Sequence, residues 1–371
     1  MGVGCEKPPG HIDQTRTTRL KATGAEPEAM QPGKVDRDFF EAVIAGRLGA
    51  TRTDVDLGPT FGADFGLLSV GDRALAIATD PVFVLRDLGL ERAAWFAVHV
   101  VLSDVAISGL PPSHLAVTLA LPPGTDPATV ETIWSVVDRE ARELGVSIVT
   151  GHTGAYAGAA FPTIGAGTAL AVGDPEQVVR PTGAVPGDRL LVTRGPAIET
   201  TGILATVFGE DLALPKATVE AARERFWDTS PVRAAGVAAS AGPVTAMHDA
   251  TEGGLANALH ELAHASGVGL SVQSESVPVL DGVEAVCSHL EIDPWTASSS
   301  GTVLATVAPE GVSPVIEALE KAGIPVAEIG TVTDSGDVLV DGDPIAVPET
   351  DPFWPTYERA RAEWGTESQR N

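Results

Sequence analysis

Cysteine, basic residues and long apolar runs are all scarce in this sequence. Only two of its 371 residues are cysteine, which argues against a disulfide framework or a cysteine-based zinc site, and Cys287 is interpreted as a small buried hydrophobe. Only 24 residues are Lys or Arg, whereas nonspecific nucleic-acid binding needs basic patches. No apolar run approaches the roughly 20 residues that span a bilayer, and the N-terminus has no apolar signal region. We therefore expect a cytoplasmic protein with no nucleic-acid or membrane partner.

Acidic residues, by contrast, are abundant. Fifty Asp and Glu residues give a formal net charge of −26, and they are spread along the chain rather than gathered in a tail. Such a charge keeps a protein soluble at high salt. We interpret it as the mark of a halophilic cytoplasm, the alternative being an ordinary acidic mesophilic protein.

Strands and helices are mixed in both halves of the sequence, which predicts an α+β or mixed α/β fold with two domains. Apolar spacing predicts a helix from Asp36 to Leu48, and FGLLSV and ALAIAT predict a hairpin. The best linker is PTGAVPGD, at 181–188. The predicted regions are a disordered tail at 1–33 with Met30 as an alternative start, an N-terminal domain at 34–180, a C-terminal domain at 186–345 and an extension at 346–371.

Four aspartates stand where a carboxylate is locally costly or oddly placed. Asp64 precedes an apolar strand and Asp80 follows one, while Asp104 interrupts an apolar helix and Asp249 ends a strand. A buried ionised carboxylate is costly unless it is paired or bound to a metal, and Mg²⁺ prefers such oxygen ligands. These positions therefore predict a carboxylate-held magnesium–nucleotide site. The alternatives are turn residues at 64 and 80, a partly exposed or hydrogen-bonded helix position at 104, and a helix N-cap at 249.

Two glycine-flanked polar segments each follow a strand. In Asp249-Ala250-Thr251-Glu252-Gly253-Gly254, capping does not account for the two glycines, since each costs about 0.5–1 kcal/mol in a first helical turn. Glycines there would let a phosphate approach the helix N-terminus. The other segment, Gly151-His152-Thr153-Gly154, is interpreted as a polar turn that offers N–H groups to an anion, or as an ordinary tight turn.

Walker and Rossmann fingerprints follow none of the predicted strands. Seven segments taken in order nevertheless resemble the aminoimidazole ribonucleotide (AIR) synthase superfamily, and are most similar to HypE and to relatives known only as AIR synthase-related. The resemblance covers residues 34–345 and is most specific at 103–109 and 249–255. The segments are PTFGADFGLLSV, ATDPV, VVLSDVAISGLPP, TGHTG, RPTGAVPGDRLLVTRGPAIE, MHDATEGGLANALHELAHASGVGL and DPWTASSSGTVLATV.

This resemblance implies a PurM-like architecture, with an N-terminal domain that pairs in a homodimer and a C-terminal α+β domain. It also implies ATP and Mg²⁺ in the cleft between the domains, where members phosphorylate an oxygen to make it a leaving group. By resemblance the metal ligands are Asp64, Asp80, Asp104 and Asp249, with Asp104 and Asp249 catalytic. The implied nucleotide cradle is Gly151, His152, Thr153, Thr251, Glu252, Gly253 and Gly254.

Three positions depart from the family pattern. Relatives often carry an acidic residue where Ala63 and Gly154 stand, and Asn where Ser103 stands. The chain also ends in GTESQRN, without the C-terminal cysteine of HypE, so hydrogenase cyanide-ligand synthesis is poorly supported. We expect an ATP-dependent phosphoryl-transfer enzyme with an unidentified small-molecule or protein acceptor. The alternatives are a nucleotide-binding sensor or assembly protein with little turnover, and a small-molecule kinase resembling thiamine-monophosphate kinase.

Overall fold

The computed structural model describes most of the chain, namely residues 33–35, 37–347 and 350–365. The tail predicted at 1–33 lies almost wholly outside these residues. The chain forms two compact units, residues 1–49 and residues 50–371. All of the candidate site residues belong to the second unit.

The first unit is helical in its described part. Helix α1 (Arg37–Phe39) continues as a π-helical turn at Phe40–Ile44, and neither contains a buried residue. The apolar spacing from Asp36 to Leu48 therefore predicts a helix correctly but overstates its length. So short a helix is marginal in water unless tertiary packing supports it.

A six-stranded sheet and two helices make up the first half of the second unit. Its elements are β1 (Val55–Leu57), β2 (Gly66–Val70), β3 (Arg73–Phe83), α2 (Leu90–Ala106), β4 (His114–Leu121), α3 (Pro127–Glu143), β5 (Ser147–Ala155) and β6 (Thr163–Gly173). The strand order is β1-β2-β3-β6-β4-β5, so β1 and β5 are the edges. The antiparallel pairing of β2 with β3 confirms the predicted hairpin.

Local sequence explains both the strand alternation and a helix start in this half. Ala74, Ala76 and Ala78 of β3 are buried at every second position, as expected for a strand with one face on the core. Helix α2 packs against β3 and β6. Helix α3 begins with an N-cap, because the Asp126 carboxylate accepts the Thr129 N–H at 2.9 Å.

A seven-stranded sheet with helices on both faces forms the second half. Its elements are β7 (Arg189–Thr193), α4 (Ile198–Phe208), α5 (Lys216–Glu224), α6 (Val232–Ala241), β8 (Val244–Asp249), α7 (Gly254–Ser266), β9 (Gly269–Val272), α8 (Val283–Leu290), β10 (Val303–Val307), α9 (Val312–Lys321), β11 (Val326–Thr333), β12 (Val338–Val340) and β13 (Asp343–Pro344). The strand order is β13-β12-β9-β11-β7-β10-β8.

Strand alternation decides which helix each residue of this sheet faces. Leu190 and Val192 of β7 pack in one core with α7, while Leu191 packs in another with α6 and α9. In β8, Ala246 belongs to the α7 core and Met247 to the opposite one. His248 therefore points toward α7.

A last helix, α10 (Phe353–Trp364), lies in the extension after the second sheet. Phe353 and Tyr357 are each 1% exposed and belong to the same core as α2, α4 and α8. The Trp354 ring meets the Phe83 ring of β3 edge-on at 5.4 Å. The extension is thus packed against both halves of the unit. Within the described residues, no helix is long and apolar enough to cross a membrane.

Candidate functional site

The C-terminal end of β8 leads into α7 through a short turn of residues 250–253, which we name the glycine turn. Asp249, the last residue of β8, is 3% exposed. Gly253 occupies the N-cap position of α7, so the alternative in which Asp249 caps this helix is wrong. The strand end therefore carries a buried carboxylate directly beside a helix N-terminus.

The two glycines of this segment have a conformational reason of their own. Gly253 and Gly254 have φ angles of +77° and +61°, in the left-handed region that favours glycine. A Cβ at Gly254 would also lie 2.5 Å from the Ala297 carbonyl oxygen. Backbone shape and packing thus require these glycines whether or not a phosphate binds.

Asp64 reaches this region from the first half of the unit. Its Oδ2 lies 2.8 Å from Nδ1 of His248, the neighbour of Asp249, and Nε2 of His248 lies 2.9 Å from Oε2 of Glu261 in α7. All three side chains are largely buried, with exposures of 10%, 3% and 15% for Asp64, His248 and Glu261. The contact joins Asp64, a predicted ligand in the first half, to the strand that ends in Asp249.

The two carboxylates on either side of His248 favour its protonated form. Burial alone would lower its pKa, but the charges and hydrogen bonds of Asp64 and Glu261 outweigh burial and raise the pKa well above its usual value. His248 is not among the site residues predicted from the sequence. Its position beside Asp249 in an otherwise apolar strand was the available signal.

Asp80 and Asp104 belong to two elements of the first half that pack against each other, β3 and α2. Asp80 is inside β3, opposite Gly167 of β6, so its interpretation as a turn residue is wrong. Gly167 packs on Val101 of α2, where a Cβ would lie 2.5 Å from the valine side chain. Asp104, partly buried, follows Val101 by one helical turn. Helix α2 thus packs on the sheet near Asp80, and Asp104 lies one turn further along this helix.

The donor set suits a hard cation, because these candidates offer carboxylate oxygens. In the described stretches of the chain, no three or more His, Cys, Asp or Glu side chains are grouped so that they could hold a metal ion by themselves. Magnesium bound with a nucleotide takes one or two carboxylates and fills its other positions with phosphate oxygens and water. The magnesium site of Asp64, Asp80, Asp104 and Asp249 stays a prediction.

Three consecutive serines form a loop against the glycine turn. In this serine loop, residues 298–301, the Ser300 hydroxyl donates to Glu199 Oε2 at 2.6 Å. Burial raises the pKa of Glu199 to about 7; the Ser300 hydrogen bonds oppose this shift, and the charges of Asp351 and Glu252 add to it. Glu199 and the serines are absent from the predicted site. A triplet of serines two residues before the fully buried strand β10 was the signal for the serines.

Asp351, from the C-terminal extension, also enters this region. Its Oδ2 accepts the N–H of Gly253 and the hydroxyl of Ser298, each at 2.7 Å, and its Oδ1 accepts the N–H of Phe353 at 2.8 Å. The start of α7 therefore carries a bound carboxylate, that of Asp351, and Glu199 lies close enough to Asp351 for their charges to interact.

The other glycine-flanked segment has a different structure. Gly151, His152, Thr153 and Gly154 are not a turn, because β5 continues through them to Ala155. They pair with β4. A Cβ at Gly151 would lie 2.5 Å from the carbonyl oxygen of Val117 in that strand. All of them except the half-buried Gly154 are exposed, and His152 contacts the Tyr156 hydroxyl. Their place in a nucleotide cradle stays a prediction.

Sequence comparison relates both halves of the chain to one family. Residues 62–171 match the family model for AIR synthase related protein, N-terminal domain, and residues 185–342 match that for its C-terminal domain. Carbamoyl dehydratase HypE of Rhizobium leguminosarum bv. viciae is 30% identical over 252 residues, which cover 66% of this chain and 69% of that protein.

Solved structures share the two-domain fold. Hydrogenase maturation protein HypE in complex with ATP aligns with a TM-score of 0.61 and 24% identity, covering 85% of this chain and 93% of that one. AaThiL complexed with AMPPCP and TMP aligns with a TM-score of 0.64 and 22% identity, covering 79% and 91%. At these identities the likeness concerns the fold alone, and it confirms the predicted α+β, PurM-like fold.

Proposed function

Because the chain belongs to the AIR synthase related protein family, we propose that it is an ATP- and Mg²⁺-dependent phosphoryl-transfer enzyme. Two structures with this fold, of HypE and of AaThiL, hold ATP or AMPPCP. The proposed acceptor is an unidentified small molecule or protein. The proposed metal ligands are Asp64, Asp80, Asp104 and Asp249, and the proposed cradle consists of residues 151–153 and 251–254.

The contact of Asp64 with His248 is the observation that carries this proposal. Asp64 lies in the N-terminal family match, and His248 lies beside Asp249 in the C-terminal match. Their 2.8 Å contact ties the segment that carries Asp64 to the end of β8, where Asp249 is the next residue. Asp64 and His248 are far apart in the sequence, so this juxtaposition depends on the fold.

The charge of the site explains the need for a divalent cation. Asp351 is bonded to the start of α7 and Glu199 lies close to Asp351, so a free triphosphate would meet like charge there. When bound, Mg²⁺ would neutralise phosphate charge and would be coordinated by both phosphate and carboxylate oxygens. The chain's own carboxylates would hold and orient that cation, and the N–H groups at the start of α7 would orient the phosphates.

Titration calorimetry of ATP in molar KCl, with and without Mg²⁺, tests the proposal. Asp104→Asn should weaken binding on the order of tenfold in Mg²⁺ and much less without it, because the lost charge acts through the metal. Asp138→Asn, which removes an exposed aspartate of α3, is the charge-matched control. Equal ATP affinity with and without Mg²⁺, or an Asp104→Asn protein that binds like the parent, contradicts the metal-mediated mechanism.

One observation favours the alternative of a nucleotide-binding protein with little turnover. The Ser103 hydroxyl, at a position where relatives often carry Asn, donates to the His99 carbonyl oxygen within α2 at 2.8 Å. It is therefore used inside the helix rather than in the site. Incubation of the parent with ATP, Mg²⁺ and metabolite pools, with products identified by mass spectrometry, separates the two functions. Phosphorylated products support the enzyme, and binding without any product supports the sensor.

We also propose a homodimer that forms through the first sheet. Strand β5 is an edge strand in which Val149 is 55% exposed, and Tyr156, just after the strand, is 45% exposed. Exposed edges favour pairing with another strand. Light scattering in the same buffer should give twice the chain mass, and a monomer mass contradicts the dimer.

A further inference from the structure

The start of α7 already binds an anion that belongs to the chain itself. The Asp351 carboxylate holds the Gly253 N–H and the Ser298 hydroxyl through two 2.7 Å hydrogen bonds, and Asp351 is only 9% exposed. Carboxylate and phosphate oxygens accept the same N–H and O–H donors at helix N-termini. One such pair of donors serves one anion at a time.

The segment that carries Asp351 is anchored away from this point. We name residues 350–365 the C-terminal clasp. Within it, the Tyr357 hydroxyl donates to Asp87 Oδ2 at 2.5 Å, and Arg359 donates to the Leu290 carbonyl oxygen at 3.0 Å. The Tyr357 ring is buried against Phe208 of α4, with ring centroids 5.5 Å apart. Helix α10 is therefore fixed, and only the short stretch before it would have to move for Asp351 to leave.

We propose that Asp351 is a built-in competitor of the nucleotide, and that a phosphate must displace its carboxylate from Gly253 and Ser298 in order to bind at the start of α7. This inference rests on the proposed function, because it concerns regulation of the same site. It assigns the C-terminal clasp, which lies beyond both family matches, an autoinhibitory contact.

The surrounding charge makes this exchange feasible. Glu199 is close enough to Asp351 for their charges to interact, and like charges weaken the hold of the site on its internal carboxylate. A metal-bound phosphate, in contrast, brings its own counter-charge into the site. Asp351 therefore lowers the affinity for the nucleotide but does not prevent its binding.

Calorimetry of ATP with Mg²⁺ on the full chain tests the competition. Asp351→Asn removes the charge but keeps the size of the side chain, and it should tighten ATP binding on the order of tenfold, the typical strength of a hydrogen bond to a charged group. Asp341→Asn is the matched control, because Asp341 accepts an N–H and a hydroxyl of Ser274 at an exposed position. Both variants change the net charge equally, so only local competition separates them.

Hydrogen–deuterium exchange on the unmodified protein gives a second measurement that requires no substitution. The Phe353 N–H is bonded to Asp351, so displacement of Asp351 should speed exchange at residues 351–353 when ATP and Mg²⁺ bind. A purely structural role of Asp351 would leave this exchange unchanged or slower.

The outcomes separate this inference from the proposed function. Tighter binding by Asp351→Asn but not by Asp341→Asn, or faster exchange at 351–353, supports the competitor. If the parent binds ATP but Asp351→Asn binds equally or more weakly, and exchange is not faster, the competitor is wrong while the proposed function stands. If neither protein binds ATP, the proposed function and this inference fail together.

Discussion

The glycine turn and the segment at 151–154 look alike in sequence but differ in structure. Each combines glycines with polar residues after a predicted strand. The glycine turn leads from a buried aspartate into a helix and meets carboxylates from distant segments. The segment at 151–154 continues an edge strand and is largely exposed. Similar local composition therefore occurs in two very different surroundings.

The glycines themselves do not distinguish the two regions. A Cβ at Gly151 would lie 2.5 Å from the Val117 carbonyl oxygen, and a Cβ at Gly254 would lie 2.5 Å from that of Ala297. Both positions require glycine because another backbone segment passes close to them. What distinguishes the regions is the set of buried charged groups around the glycine turn. That difference can be tested with matched substitutions.

The largest expected difference concerns the two histidines. His248→Asn should lower the free energy of unfolding by about 3–5 kcal/mol, because it leaves the buried carboxylates of Asp64 and Glu261 without their shared cation. His152→Asn, in the exposed strand, should stay within about 0.5 kcal/mol of the parent. Denaturant unfolding of both variants in the same salt measures this difference. Equal losses of unfolding free energy would show that the contacts of His248 with Asp64 and Glu261 do not stabilise the fold.

A smaller difference is expected for two glycine substitutions. Gly254→Ala should cost about 2–4 kcal/mol, because Ala disfavours a φ of +61° and its Cβ meets backbone that cannot move aside. At Gly154 the nearest atoms belong to the Tyr156 side chain, which is 45% exposed and free to shift. Gly154→Ala should therefore change stability by no more than about 0.5 kcal/mol. Thermal and denaturant unfolding check both values, and a costly Gly154→Ala would show that the Tyr156 side chain cannot move aside.

The smallest expected effect is a pH dependence of stability that arises from Glu199 and has no counterpart in the segment at 151–154. Burial raises the pKa of Glu199 to about 7, so its protonated form stabilises the fold fully below the unfolded pKa of about 4.5, and this stability is lost as pH rises through about 7. Glu199→Gln should therefore gain stability relative to the parent, on the order of 1 kcal/mol, between pH 5 and pH 7.5. Glu284→Gln, at an exposed position of α8, is the control. Parallel pH profiles for Glu199→Gln and the parent would refute the burial effect.

Local patterns in the sequence are sufficient to predict most elements and their faces. The alternation in His114–Leu121 predicts β4 at the bounds that the structure has, and Asp126 with Pro127 marks the start of α3. These predictions succeed because strand alternation and helix capping depend on residues only a few positions apart. The family likewise follows from the seven motifs and their order along the chain, which both family matches confirm.

Contacts between distant segments were decided only by the tertiary structure. His248 meets Asp64 and Glu261, and Gly253 meets Asp351, 98 residues further along the chain. The continuation of β5 through His152 depends on its pairing with β4, rather than on the glycines that suggested a turn. Spacing along the chain states which face a residue occupies, but not which distant residue packs against that face. For this reason the four aspartates and the glycine turn could be singled out from the sequence, whereas His248, Glu199 and Asp351 required the fold.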